Sequence, residues 1–460
     1  MNRSNEGDPL PRWKRAAAAK TGAKLAFALA LISLPLRGRV VLLARPLPPV
    51  YSDFTDFLIF PSDLFVAATL LLWLADCRLS PRSIARGPAF LFWPLTAITG
   101  IGLASAAFSV DPPLSLYHAI RLAALSALYL YAVNEVTSLR ALLLPVAGQV
   151  SLQAVIGVGQ VLQQHSLGLP ALGELELDPA WQGVSVVSAE GARALRAYGL
   201  TDHPNILGGC LAFGLILIAL SYEHVRLHWR ALAGSVFGLG ALALLLTFSR
   251  SAWLAMAAGA VLAAALLLKT RQLAALRDGL ILAAAGLILV LPFAWHNAAL
   301  LAVRFNRDDS FSNVIAEQRS FVERGLLSEA ALRMLTDRPL TGVGLGTFPS
   351  AFRLREPDYP LDYQPPHLAI LEASTEIGIL GGLAYVVAST GPWIALMLNR
   401  RRLAWSTALI GASALLLAVS VVGLFDYYTW LTAPGRLWQW LAWGVWAAAY
   451  QSSLLDPARN

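Results

Sequence analysis

Residues 231–268 read ALAGSVFGLGALALLLTFSRSAWLAMAAGAVLAAALLL. Two apolar runs, 231–248 and 251–268, are separated only by Ser249-Arg250. Each run has close to the roughly 20 residues that an α-helix needs to cross a hydrocarbon core of about 30 Å. The pair therefore reads as two membrane-crossing helices joined by a tight turn, with Arg250 at the membrane edge.

The rest of the chain follows the same pattern. Of its 460 residues 57% are hydrophobic and 14% charged, against about 25% charged in a soluble domain. Apolar blocks lie near 24–44, 57–76, 88–109, 117–135, 139–163, 203–221, 231–248, 251–268, 278–298, 367–397, 404–425 and 434–451. The expected fold is an all-α integral membrane protein of about twelve spans. Pro35, Arg37 and Arg39 interrupt the first block, and Gly381, Gly382 and Pro392 predict a kink in the tenth.

Lysine and arginine gather in alternate connections. One set holds the N-terminal segment, Arg78, Arg82, Arg86, Arg140, Arg226, Arg230, Lys269, Arg271, Arg277 and Arg400–Arg402. The other short loops, 111–116 and 425–434, carry almost none. By the positive-inside rule both termini are cytoplasmic, as an even number of spans also requires. The same asymmetry gives the net charge of +7 a topological meaning, and no nucleic-acid partner is expected. The apolar run after the basic N-terminus is followed by Arg37 and Arg39 and not by a cleavage site, so a removed signal peptide is not expected. Cys77 and Cys210 suggest neither a disulfide nor a metal cluster.

This organisation divides the chain into a cytoplasmic segment 1–23, spans one to nine in 24–298, a large outer loop 299–366, spans ten to twelve in 367–451 and a tail 452–460. A loop of that length on a membrane protein is usually functional. It holds one amphipathic helix, Arg324–Thr336, with Leu326, Leu327, Ala330, Ala331 and Met334 on its apolar side.

Polar groups from distant segments fall on the outer face. Arg250 sits in the turn quoted above, where a guanidinium either snorkels to headgroups or meets an anion such as phosphate. RALRAYGLTDHPN (193–205) supplies Arg193, Arg196, Asp202, His203 and Asn205. The loop supplies Arg324. His367 follows Pro365-Pro366 at the start of the tenth span, and its imidazole is either structural or a base near neutral pH. Glu376, nine residues on, lies about half a turn round the helix, which suits packing against another helix better than orienting His367. Gln153, Gln160 and Gln163, with Asp426, Tyr427, Tyr428 and Trp430, add polar and interfacial groups. The run Arg338–Gly346 has the glycines of a phosphate loop without its lysine or preceding strand. It reads as a turn, not a nucleotide site. Asp308-Asp309 is contiguous and not the spaced pair of a metal motif.

These segments together resemble the O-antigen ligase and polymerase family of bacterial membrane glycosyltransferases. The resemblance is carried by RAYGLTDHPNILGG (196–209), FSRSAW (248–253), ERGLLSEAALRMLTDRPLTGVGLGTF (323–348) and HLAILEASTEIGILGGL (367–383), with LGLPALGELELDP (167–179) in support. It implies a GT-C-like fold whose outer loop holds short helices. It also implies transfer of a glycan from undecaprenyl diphosphate to an acceptor hydroxyl outside the inner membrane, without nucleotide sugar, metal or other cofactor. Lipid A–core or a growing glycan would be the acceptor. Carried over by position, the catalytic groups are His367, Arg324 and Arg250, with Arg196, His203, Asn205, Gln160 and Tyr428 as substrate contacts. Ser328 departs from the tryptophan that many members carry after R-x-L-L. Joining repeat units on the carrier, or glycosylating a protein, is the alternative within the family. A transporter of twelve spans is the alternative outside it, but no internal repeat is visible and the charged groups lie at the edge, not at mid-membrane.

Overall fold

The computed structural model describes residues 11–189, 192–305 and 311–454. Its elements run α1 (Arg12–Ser33), β1 (Val40–Leu43), β2 (Phe57–Ile59), α2 (Pro61–Leu79), α3 (Ala89–Ser105), α4 (Pro112–Glu135), α5 (Arg140–Gln163), β3 (Val186–Ala189) and β4 (Ala192–Leu195). There follow α6 (Pro204–Ser221), α7 (Arg230–Leu246), α8 (Arg250–Lys269), α9 (Leu273–His296), α10 (Ala298–Phe305), α11 (Phe311–Asp337), α12 (Phe348–Arg355), α13 (Ala369–Asn399), α14 (Thr407–Gly423), α15 (Tyr428–Leu431) and α16 (Ala433–Ser453). Helices dominate because lipid offers the backbone no hydrogen bonds, so each crossing must satisfy its own. The strands form two antiparallel hairpins, β1–β2 and β3–β4.

Nine helices among the described residues are long and apolar enough to cross a membrane: α1, α3 to α9 and α13. Three of the expected twelve spans fall on helices outside that set. Asp63, Asp76 and Arg78 sit in α2, α14 has 17 residues, and α16 carries Arg436, Gln439 and Gln451. Shielding accounts for the polarity of α16. It is buried on every side from Pro434 to Tyr450, with Trp438, Trp440, Trp443 and Trp446 fully enclosed. α6 is the other central helix, and α9 is among the outer ones.

The first helix differs most from expectation. It begins at Arg12 and ends at Ser33, whereas the sequence suggested 24–44 after a non-spanning segment 1–23. The alanine run supplies high helix propensity and small side chains, and Ala16, Ala19 and Ala23 are buried. The cations meanwhile reach polar partners: Arg12 Nη2 donates to the Arg78 carbonyl at 3.1 Å, and Lys20 lies 3.9 Å from Glu135. Past Ser33 the chain leaves the helical bundle, and Arg37 and Arg39 face acidic partners.

α13 breaks at Ile377-Gly378, not at Gly381-Gly382 or Pro392. Gly378 has φ +77°, a region open to glycine. The glycine run docks in the break and satisfies the freed backbone groups. Val343 N donates to Thr375 O at 3.0 Å, Gly344 N to Glu376 O at 2.9 Å, and Ile379 N to Pro339 O at 2.8 Å.

The large loop contains α10, α11 and α12. α11 is longer than the expected 324–336. It buries Leu327, Ala330, Ala331 and Met334 against Val343, Phe348, Phe352 and Tyr363, while Leu326 points outward. Asp308-Asp309 lies outside the described residues.

The long helices alternate, so their ends sort to two poles. At one pole Arg12 meets Arg78, Arg82 meets Asp76 and Glu135, Thr407 meets Glu223, and Gln272 meets Trp405. These are the basic connections. At the other pole Arg37 N donates to Leu200 O, Ala197 N to Leu246 O and Val110 N to Val343 O. The candidate site lies there.

Candidate active site

A cavity of about 470 Å³ opens at this second pole. Its wall is assembled from the loop after α1, the starts of α4, α6 and α16, the approach to α13 and the segment after α14. His367, His203, Asn205 and Tyr428 of the sequence candidates line it, with Asp202 and Asp426.

His367 precedes the helix it was expected to open, because α13 starts two residues later. Two prolines extend the chain before it, and Leu368 N donates to Pro366 O at 2.7 Å. The Tyr427 ring packs edge-on against the imidazole at 5.2 Å. Nδ1 is buried and makes no hydrogen bond among the described residues. Burial chiefly, and then the Arg324 charge, hold the imidazole below its usual pKa, while Asp426 pulls the other way. A lowered pKa favours the neutral ring, the form that accepts a proton.

Asp426 is tied to the far wall. Its Oδ2 accepts from Asn205 Nδ2 at 3.1 Å, and Asn205 Oδ1 accepts from Arg196 Nη2 at 2.7 Å. Arg196 Nε donates to Thr247 O at 2.7 Å, in the turn before Arg250. His203 caps α6, its Nδ1 accepting from Asn205 N at 3.1 Å, and its Nε2 lies 3.0 Å from Ser185 Oγ. Pro204 at the first helical position makes that start rigid.

The remaining candidates lie outside the lining. Arg324 on α11 is half-exposed, close enough for its charge to act on His367. Arg250 opens α8. Gln160 is fully buried with its amide saturated. Nε2 donates to Glu174 Oε1 and Gly199 O at 2.9 Å, and Oε1 accepts from Tyr198 N at 3.1 Å and Gly199 N at 2.8 Å. It pins the chain before α6. The Tyr428 ring borders the cavity, but its hydroxyl is packed against Gly209. Glu376 packs as its helical position implied: Trp430 Nε1 donates to its Oε2 at 2.8 Å.

Sequence reading missed Arg39 and Arg121, which both line the cavity. Arg39 Nη1 donates to Asp202 Oδ1 at 2.9 Å and pairs with Asp53. Its signal was a charge just beyond Pro35 in a run otherwise read as a span. Arg121 lies inside a span, where an ionisable side chain marks a site by default. Among cavity-lining residues Asp53, Asp56, Asp202, Asp362 and Asp426 outnumber Arg39 and Arg121. Burial first, and then Asp362, push Tyr51 up to about 12, so its hydroxyl stays a donor. Such a wall of carboxylates, amides and hydroxyls suits a hydroxyl-rich ligand. Among the described residues no His, Cys, Asp and Glu group has the arrangement of a metal site.

No curated protein matches the chain. A family model described as O-antigen ligase matches residues 233–386, from within α7 to within α13, a stretch that includes Arg250, Arg324 and His367.

Proposed function

We propose that this chain, with residues 233–386 matching the O-antigen ligase model, transfers a glycan from undecaprenyl diphosphate to a hydroxyl of lipid A–core. The match supports a membrane glycosyltransferase of ligase or polymerase type, and the ligase is the reading taken here. In it the fold is GT-C-like, α2, α14 and α16 complete twelve crossings, and the cavity faces the periplasm from the inner membrane.

The observation that carries the reading is His367: an imidazole in the wall of a polar cavity beside Asp426, held below its usual pKa by burial, with its Nδ1 unpaired among the described residues. In the reaction His367 takes the proton of the acceptor hydroxyl as its oxygen bonds to the anomeric carbon. The bond from that carbon to the diphosphate oxygen breaks, and the diphosphate leaves on its lipid with one more negative charge. Arg324 and Arg250 stabilise that charge by guanidinium hydrogen bonds, the kind of electrostatic contribution that needs no metal. Arg196 acts through Asn205 to fix Asp426, and Asp426 steadies the imidazolium that forms.

The test is transfer by purified protein from undecaprenyl-diphosphate-linked glycan to lipid A–core in excess EDTA. A single product on the acceptor is expected. Loss of turnover restored by one divalent ion would overturn the metal-free mechanism. Lengthening of the lipid-linked glycan with no transfer to lipid A–core would make the protein a polymerase.

A further inference from the structure

A second cavity, of about 290 Å³, adjoins the first between α2, α4 and the start of α16. The two share Leu58, Tyr117, Arg121 and Ala433 in their walls. The second is apolar along Val66, Ala67, Ile120 and Ala124, and Ile120 is 62% exposed at its rim, where lipid would lie. At the junction Arg121 is held in place, with Nη2 at 2.9 Å from both Asp63 oxygens and Nη1 donating to Tyr117 at 2.8 Å.

A second guanidinium lines the apolar cavity. Arg436 is 2% exposed. Its Nε donates to Trp430 O and its Nη1 lies 3.2 Å from His118 Nδ1. Its Nη2 has no hydrogen-bond partner among the described residues. A buried charged donor left unsatisfied is destabilising, and an anion at the end of the groove would relieve it.

We propose that this groove holds the first isoprene units of the donor's polyprenyl chain, with the lipid-side phosphate against Arg436 and Arg121 and the sugar-side phosphate left to Arg324 and Arg250. The inference rests on the glycosyltransferase reading and adds where its lipid lies. Three observations select this occupant. An apolar groove that shares its wall with a polar cavity fits an amphipathic ligand, and its arginines fit an anionic joint between the two halves. The first cavity has more carboxylates than arginines, which directs phosphate to the groove end and sugar to the His367 end. The groove is small, about 290 Å³, which suits a segment of one chain and not an acceptor anchored by several acyl chains. Another apolar cavity, of about 180 Å³ between α6, α7, α8 and α9, has no polar side chain in its lining to meet a headgroup.

The test uses the full chain in nanodiscs and two donors with one glycan, on undecaprenyl or on short citronellyl diphosphate. Ala124→Trp and Ala67→Trp fill the groove from lipid-facing positions. Both donors carry the first isoprene units, so KM should rise roughly tenfold for each, the equivalent of about 1.4 kcal/mol. An unchanged KM in both variants overturns the proposal. In parallel, an undecaprenyl diphosphate with a diazirine in its first isoprene units should label α2 and α4, whether or not turnover is seen. Labelling confined to α6–α9, or labelling of α2 and α4 by an acyl-diazirine acceptor instead, also overturns it. If the unmodified protein turns over neither donor while α2 and α4 are labelled, the glycosyltransferase reading falls and the lipid site stands.

Discussion

His367 sits between two charges of opposite effect, which makes its titration a direct probe of the site. With the imidazole held below its ordinary pKa of about 6.5, the acid limb of kcat/KM should fall below that value. Asp426→Asn removes the influence that raises the pKa, so the limb should move to lower pH. Arg324→Gln removes one that lowers it, so the limb should move up. A pH–rate series on the three proteins checks both signs. His367→Ala should lose roughly 10²–10⁴-fold in rate if the imidazole is the base, with donor binding kept. Near-normal turnover would remove it from the mechanism. At this scale the sequence showed His203, His367 and Asn205 of the cavity, because each stands beside a proline or a helix start, but not His118, which lies within a helix. It did not distinguish Gln160, whose amide is consumed by Gly199 and Glu174. Side-chain bookkeeping of that kind exists only once the loop has folded.

Among the elements, the glycine run and the broken helix form one unit. Gly346 has φ +73°, and a Cβ there would stand 2.1 Å from His118 Cδ2. Gly346→Ala should therefore lower thermal stability by well over the roughly 1 kcal/mol of backbone strain alone, and should disturb His118 in the cavity wall. Gly325, inside α11, has open space around its Cβ position. Gly325→Ala should raise stability by roughly 0.5–1 kcal/mol. Thermal unfolding of both variants in one detergent checks the contrast. The sequence anticipated a turn at these glycines and a kink somewhere in α13. It misplaced the kink because the break depends on carbonyls being met by a segment some 35 residues earlier, a contact that local composition does not encode. The start of α1 was missed for a related reason: hydropathy discounts Arg12, Lys14 and Lys20, yet their heads reach the surface while alanines pack beneath.

For the whole molecule, two poles were legible from lysine and arginine alone, and the contacts that join the helix ends agree with that sorting. The orientation in the membrane follows as a prediction. A cysteine placed at Asp358, an exposed position, should react with an impermeant maleimide on intact cells, and one at Arg401 only after lysis. The reverse pattern would put the cavity in the cytoplasm. The surplus of carboxylates around the cavity then has a kinetic meaning. A neutral glycan enters such a mouth without electrostatic opposition, whereas one rich in uronic acids is repelled over about 10 Å at 0.1 M ionic strength. Turnover of a neutral glycan should be nearly flat between low and moderate salt, and that of a polyanionic one should climb as added ions screen Asp53, Asp202 and Asp426. The chain would in this way sort polysaccharides by their charge, with ionic strength setting how strictly.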